Sequence, residues 1–267
     1  ICMQLLEMMG DKRFKIESYF MDIGKAFHKS TEGSQTGLDE WIRVSNWKKT
    51  KFDEDHLENK YMNFDMEEIT VKTLAWYAKE DSPEEYQKWH DGWCKPKIFE
   101  AIKNIKHDCV VAEAFYRVFW LQFMHTGKRW VEFRRSKLVV LSEDFAVRRA
   151  ISEKFIPCFD TISAQISEEK VRYSKIMRKN NAAKDKIEDL DKCNKSICEL
   201  ITRLNKEMYR STLVKSSKEF FFVESLTKSL NKNPAILGCG NCVIELTDME
   251  AFMRNGKPED YITKKLG

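Results

Sequence analysis

The chain has 267 residues, 42% of them hydrophobic and 33% charged, which is enough apolar material to bury one or two cores and too much for a disordered or fibrous chain. Its 10 glycines and 5 prolines fall well below the roughly 12% of average usage, and a chain so poor in turn residues cannot punctuate a many-stranded sandwich or barrel. The net charge of +4 is unevenly divided: residues 1–107 carry 17 basic and 20 acidic side chains, residues 108–267 carry 29 and 22, so the second half is the better candidate for a polyanionic partner.

No apolar run approaches the roughly 20 residues of a bilayer span; the longest, 110–123, is broken by Glu113, Arg117 and Gln122. A soluble chain without membrane contact is expected. The N-terminal stretch ICMQLLEMMGDKRFK has neither a basic region before an apolar one nor a small-residue cleavage site, so no signal peptide is read. A start at Ile1 without an initiator Met is expected of a piece of a longer protein. The eight cysteines then read as reduced thiols in a cytoplasmic or other reducing intracellular compartment.

In chain order, residues 1–29 read as two helices, the second carrying Tyr19, Phe20, Ile23, Ala26 and Phe27 at helical spacing and stopping before a polar loop over 30–37. Further amphipathic helices are predicted over 38–45, 53–61 and 70–79. The segment DGWCKPK (91–97) places Gly and Pro between helical patterns and is the best boundary signal. It predicts two units, 1–95 and 107–267. A helix over 109–120 follows. Then the period changes: 121–124, 130–133 and 137–141 are short β-type runs, predicting a three-stranded meander. Helix resumes over 145–155 and is expected to end before Pro157. A long charged helical stretch runs over 162–208 and another helix over 213–230. The tail has strand-like AIL and CVIEL around GCGN, then a loop MRNGKPEDY. The expected class is mainly α: an all-helical N-terminal module followed by an α+β domain with a small antiparallel meander.

Neither nucleotide-binding glycine motif is present, since no G-x-x-x-x-G-K-[ST] occurs and Gly238-Cys239-Gly240 is followed by Val243 where a third glycine would stand. The five histidines show no metalloprotease spacing, and no Ser or Cys lies in an elbow motif, so no catalytic residue is assigned. Cys239-x-x-Cys242, with Cys193 and Cys198 about forty residues before, has partial zinc spacing. Cys193 and Cys198 do not share a helix face, however, and no metal is assigned. The charged stretch 168–206 reads as the solvated face of bundle helices. The meander is the basic constellation: Trp130, Arg134, Arg135 and Lys137, then Arg148 and Arg149, interleave guanidinium groups with an aromatic. That mixture can hold phosphates and stack a base. Equally, Trp130 can point into the core, with the arginines on the wet side of the strand.

The order of these pieces resembles the helicase-primases of large DNA viruses, phages and plasmids. The stretch LLEMMGDKRFKIESYFMDIGKAFHKS, with GLDEWIRVS and the helix that precedes Ser82-Pro83-Glu84-Glu85-Tyr86, is similar to the helical module that follows their primase. The second half is similar to the region preceding the superfamily 3 ATPase of poxvirus-type members, through Trp130-Val131-Glu132-Phe133 and Val147-Arg148-Arg149-Ala150-Ile151-Ser152-Glu153. The closing stretch is the most specific: Asn241, Phe252, Arg254, Gly256, Pro258, Glu259, Asp260 and Tyr261 resemble the family's asparagine-glycine-valine strand and PEDYI loop, with Cys242 in place of the glycine. The resemblance implies a connecting region in DNA replication that contacts single-stranded DNA and supports a homo-oligomeric ring. Its neighbours would be the primase and helicase domains of the same polypeptide, with ATP and Mg used by the downstream ATPase and no cofactor in these 267 residues. The phosphate loop is expected beyond Gly267. A purely structural helical collar without DNA contact is the alternative.

Overall fold

The structure is a computed structural model and describes residues 1–64, 69–176, 182–224, 226–246 and 251–264. It is mainly helical with two small antiparallel sheets. The chain forms two compact units, each discontinuous: Ile1–Asp91 with Phe133–Val139 and Ser225–Gly267, and Gly92–Glu132 with Val140–Glu224.

In the first unit come α1 (Cys2–Glu7), α2 (Lys12–Lys15), α3 (Glu17–Ser30), α4 (Gln35–Lys48), α5 (Glu54–Met62) and α6 (Val71–Asp81). The apolar residues of α3 recur at three and four and are the ones buried: Tyr19, Phe20, Ile23, Ala26 and Phe27. The polar loop before α4 is shorter than the sequence predicts, because Glu32 and Gly33 take left-handed conformations that turn the chain within a few residues. A Cβ on Gly24 would collide with the Trp41 ring, so α3 and α4 cross closely there and Trp41 is fully buried. Side-chain caps start the next helices: Asp53 accepts from the His56 amide at 2.8 Å and Thr70 from the Lys72 amide at 3.1 Å.

The predicted join at 91–97 is helical. One helix, α7 (Pro83–Lys103), runs through Gly92 and Pro96. Proline in a helix interior costs about 3 kcal/mol, but Cys94, Ile98, Ala101 and Ile102 around and beyond it lie in the core of the second unit, and their burial outweighs local propensity. The unit boundary falls at Asp91/Gly92, inside this helix.

The second unit continues with α8 (Asp108–Phe119), which packs on α12 (Glu207–Phe221), and with the paired helices α10 (Ile156–Ile176) and α11 (Ala182–Leu204). Its core joins Phe115, Phe119, Phe123, Phe155, Phe159 and Phe221. The predicted helix end before Pro157 does not occur. Between α9 (Phe145–Ala150) and α10, residues Ile151–Phe155 form a π turn in which the Ile156 amide donates to Ile151 O, and this wider hydrogen-bond spacing leads the helix past the proline's missing donor. The charged stretch 168–206 places its apolar residues Leu190, Ile197, Leu200 and Leu204 in the core and its charges outward; residues 177–181 of it lie outside the described residues.

The meander is present as β1 (Phe123–His125), β2 (Trp130–Arg134) and β3 (Lys137–Val140) in the order β1-β2-β3, with His125 opposite Trp130. The tail continues with α13 (Leu226–Ser229) and a second sheet of β4 (Ile236–Gly238), β5 (Val243–Leu246) and β6 (Ala251–Arg254). Strand β6 is a correction to the predicted MRNG loop: Met253 pairs with Ile244 and Arg254 with Val243. The last three residues of the ITKKLG end, 265–267, lie outside the described residues.

Candidate nucleic-acid interface

The basic residues of the meander sit on a hairpin whose tip is Arg135-Ser136. Both have positive φ, 50° and 63°. Two consecutive left-handed residues are the signature of the tight turn that matches strand twist, usually filled by Asn-Gly; here side-chain-bearing residues fill it at a conformational cost of order 1 kcal/mol each. Surrounding contacts hold it there. The Ser136 hydroxyl donates to the Asn241 carbonyl at 3.3 Å, and a Cβ on Gly256 would collide with the Ser136 carbonyl oxygen, so only glycine admits this approach. At the base, Phe133 meets the Trp76 ring edge-on at 4.8 Å, and the Leu138 amide donates to Ile262 O at 2.7 Å. Arg134 and Arg135 are exposed on this scaffold, with Lys137 half-buried beside them.

Gly256 is itself fixed by the tail that follows it. Arg254 is nearly buried between Glu245 and Asp260, the latter at 2.7 Å. Burial opposes its charge, but the two carboxylates outweigh that and raise its pKa. Asp260 also accepts from the Lys257 amide at 2.8 Å, closing the short 3-10 turn Pro258–Asp260, while Tyr261 turns the chain with φ 50°. The Lys257 ammonium reaches Asp22 on α3 at 2.6 Å and the Tyr77 hydroxyl on α6 at 3.2 Å. Burial would lower its pKa; Asp22 and Tyr77 raise it further than burial lowers it. Burial also raises the Glu259 carboxyl and lowers the Lys72 ammonium to about 8. Thr70 donates to Glu259 at 3.2 Å.

Two sequence models match this chain: "Primase C terminal 2 (PriCT-2)" over residues 3–78 and "D5 N terminal like" over residues 119–267. The second spans more than half of the chain. The chain belongs to the D5 N terminal like family. A curated relative, "Putative helicase L207/L206" of Acanthamoeba polyphaga mimivirus, is 22% identical over 232 residues, which is 85% of this chain and 23% of the relative. The chain therefore spans about a quarter of that protein's length. Together these matches place it with the primase-helicase family of large DNA viruses.

The D5-type match covers all the motif residues read from the sequence, and the structure gives most of them structural work. Pro258, Glu259, Asp260 and Tyr261 are buried in the tail's packing and Arg254 is nearly so, Gly256 admits the hairpin, and Phe252 is half-buried in β6. Asn241 is exposed at the β4–β5 turn and supports Ser136 through its backbone. The compact units do not follow the two matches: 133–139 and 225–267 of the D5-type region share a unit with the PriCT-2 region.

The six basic and aromatic candidates separate. Arg134, Arg135 and Lys137 belong to the first unit, Trp130, Arg148 and Arg149 to the second. Trp130 is 4% exposed, with Phe221, His125 and Phe123 around its ring. It is a core residue and not a stacking platform, because no base can reach either face. Arg148 is held by Asp144 and Glu207, while Arg149 is exposed. The aromatic exposed beside these arginines is Phe145, 67% accessible and 5.4 Å from the Arg148 guanidinium; its position at a polar helix start hid it in the sequence. Lys257, Asp22 and Tyr77 were missed as well, since only packing brings residues so distant in sequence together. Among the described residues, no group of three or more His, Cys, Asp or Glu is placed to hold a metal, and no helix is long and apolar enough to cross a membrane.

Proposed function

We propose that this chain is the connecting region of a viral-type DNA helicase-primase, contacting single-stranded DNA and supporting ring assembly of the parent protein. The observation that carries the reading is the hairpin tip, where Arg134 and Arg135 are exposed on a turn held by Gly256 and Asn241. Guanidinium groups offered on a stiff turn suit phosphate oxygens, which they bind as forked donors without reading sequence. Arg149 and Phe145 on α9 supply a second basic and aromatic surface. On this reading the primase and helicase domains of the same polypeptide flank the chain, ATP and Mg²⁺ serve the downstream ATPase, and the protein works in a reducing intracellular compartment.

Fluorescence anisotropy of a labelled oligonucleotide at several salt concentrations tests it. Affinity is expected to fall with salt, and Arg134→Ala with Arg135→Ala to flatten the log–log slope by about 1.4, about 0.7 for each phosphate that is no longer neutralised. An unchanged slope would remove the hairpin from the interface. A second reading, a structural collar without DNA contact, is favoured by the buried ion pairs of the tail, which position rather than bind; complete absence of oligonucleotide affinity selects it.

A further inference from the structure

The turn joining β4 to β5 carries a thiol at each end. Gly238 pairs with Val243, and the next pair outward, Cys239 and Cys242, is joined by the Cys239 amide donating to the Cys242 carbonyl at 2.9 Å. Gly240 and Asn241 form the two-residue loop between them. Residues opposed across an antiparallel pair have Cα atoms about 4.5–5.5 Å apart, within the roughly 4.4–6.8 Å range that a disulfide requires. Both thiols are free and half-buried. A Cβ built on Gly240 meets nothing within 4 Å, so the turn faces open space and a small reagent can approach it.

We propose that Cys239 and Cys242 form a reversible dithiol–disulfide site that reacts with low-molecular-weight disulfides. One thiolate attacks a sulfur of the reagent, forming a mixed disulfide and releasing the first reagent thiolate. The second cysteine, deprotonated, then attacks the protein sulfur of that mixed disulfide and expels the second reagent thiolate. The two cysteines lose two electrons and two protons in total, and the reagent disulfide is reduced to two thiols. Proximity makes the second step intramolecular, which distinguishes this pair from isolated surface thiols such as Cys109 and Cys198. The bridge closes the turn whose Asn241 carbonyl accepts from Ser136, so oxidation stiffens the support beneath the hairpin tip.

The test is incubation of the folded chain with oxidised glutathione, acid quenching, alkylation and tryptic mass mapping. Cleavage after Lys232 and Arg254 leaves a peptide, 233–254, that contains these two cysteines and none of the other six. The expected result is loss of two hydrogens from that peptide, reversed by a dithiol reductant, while Cys109 and Cys198 gain glutathione. In Cys242→Ser the expected product is a persistent glutathione adduct on Cys239. Glutathione adducts on both cysteines of the unsubstituted chain, or free thiols at both while Cys109 and Cys198 react, would overturn the proposal. A thermal melt of each variant against the parent verifies that the turn remains folded.

Discussion

Replacing Lys257 by methionine tests the packing logic of the tail most directly. The ammonium lies 2.6 Å from Asp22 and 3.2 Å from the Tyr77 hydroxyl, and the Lys257 and Asp22 side chains are each only 12% accessible. Two unit charges about 4 Å apart in an effective dielectric of about 20 attract by about 4 kcal/mol. Methionine keeps the length of the stem but leaves the Asp22 carboxylate buried with Tyr77 as its remaining partner. Loss of one member of a buried pair costs about 3–5 kcal/mol. At about 2–4 °C per kcal/mol for a chain of this size, the melting temperature is expected to fall by at least about 6 °C. Urea unfolding followed by circular dichroism gives the free energy, and a double-mutant cycle with Asp22→Asn isolates the pair. The double variant is expected to recover at least half of the loss, because no uncompensated charge remains. A loss below about 1 kcal/mol in Lys257→Met, or strict additivity in the double variant, would show that the ion pair does not hold the tail.

Four further outcomes follow from the same geometry. Gly256→Ala drives a Cβ into the Ser136 carbonyl and is expected to destabilise by about 1–3 kcal/mol in urea melts, while unchanged stability would mean that the hairpin tip moves freely. Arg135→Gly relieves a left-handed arginine and should raise stability by about 1 kcal/mol while lowering oligonucleotide affinity, so a loss of both would refute the separation of strain from binding. Phe145→Ala should leave the melting temperature nearly unchanged, since the ring is exposed, yet weaken oligonucleotide binding by about 1–3 kcal/mol; unchanged anisotropy removes α9 from the interface. Burial raises the Glu259 carboxyl above its ordinary value of 4.5, so the folded state binds this proton more tightly than the unfolded chain and stability falls as pH rises from that value through the folded one. Glu259→Gln should abolish that contribution, read as a smaller difference between urea midpoints at pH 4.5 and pH 7.

Elements whose side chains repeat with a period were legible from the chain alone. The helical spacing of Tyr19, Phe20, Ile23 and Phe27 is the buried face of α3, because that period fixes which face meets the core, and the short β-type runs around Trp130 and Leu138 mark the meander. The D5-type stretch was also legible, through its resemblance to a family pattern over Asn241 to Tyr261; the capped turn at Pro258–Asp260 that it forms was not. Local signals failed where distant burial outweighed them: Pro96 and Pro157 read as breaks, yet Ile98 on one side and Phe155 and Phe159 on the other draw the helices onward into a core. Met253 and Arg254 of the MRNG stretch end a strand because β5 offers them an edge, and a glycine nearby says nothing of that partner. Folding in three dimensions was needed to settle that Trp130 is core, that Arg134 and Arg149 belong to different units, and that Lys257 finds Asp22 across 235 residues of chain. A buried charge is satisfied by whatever partner folding delivers, and no spacing in a single sequence records which one that is.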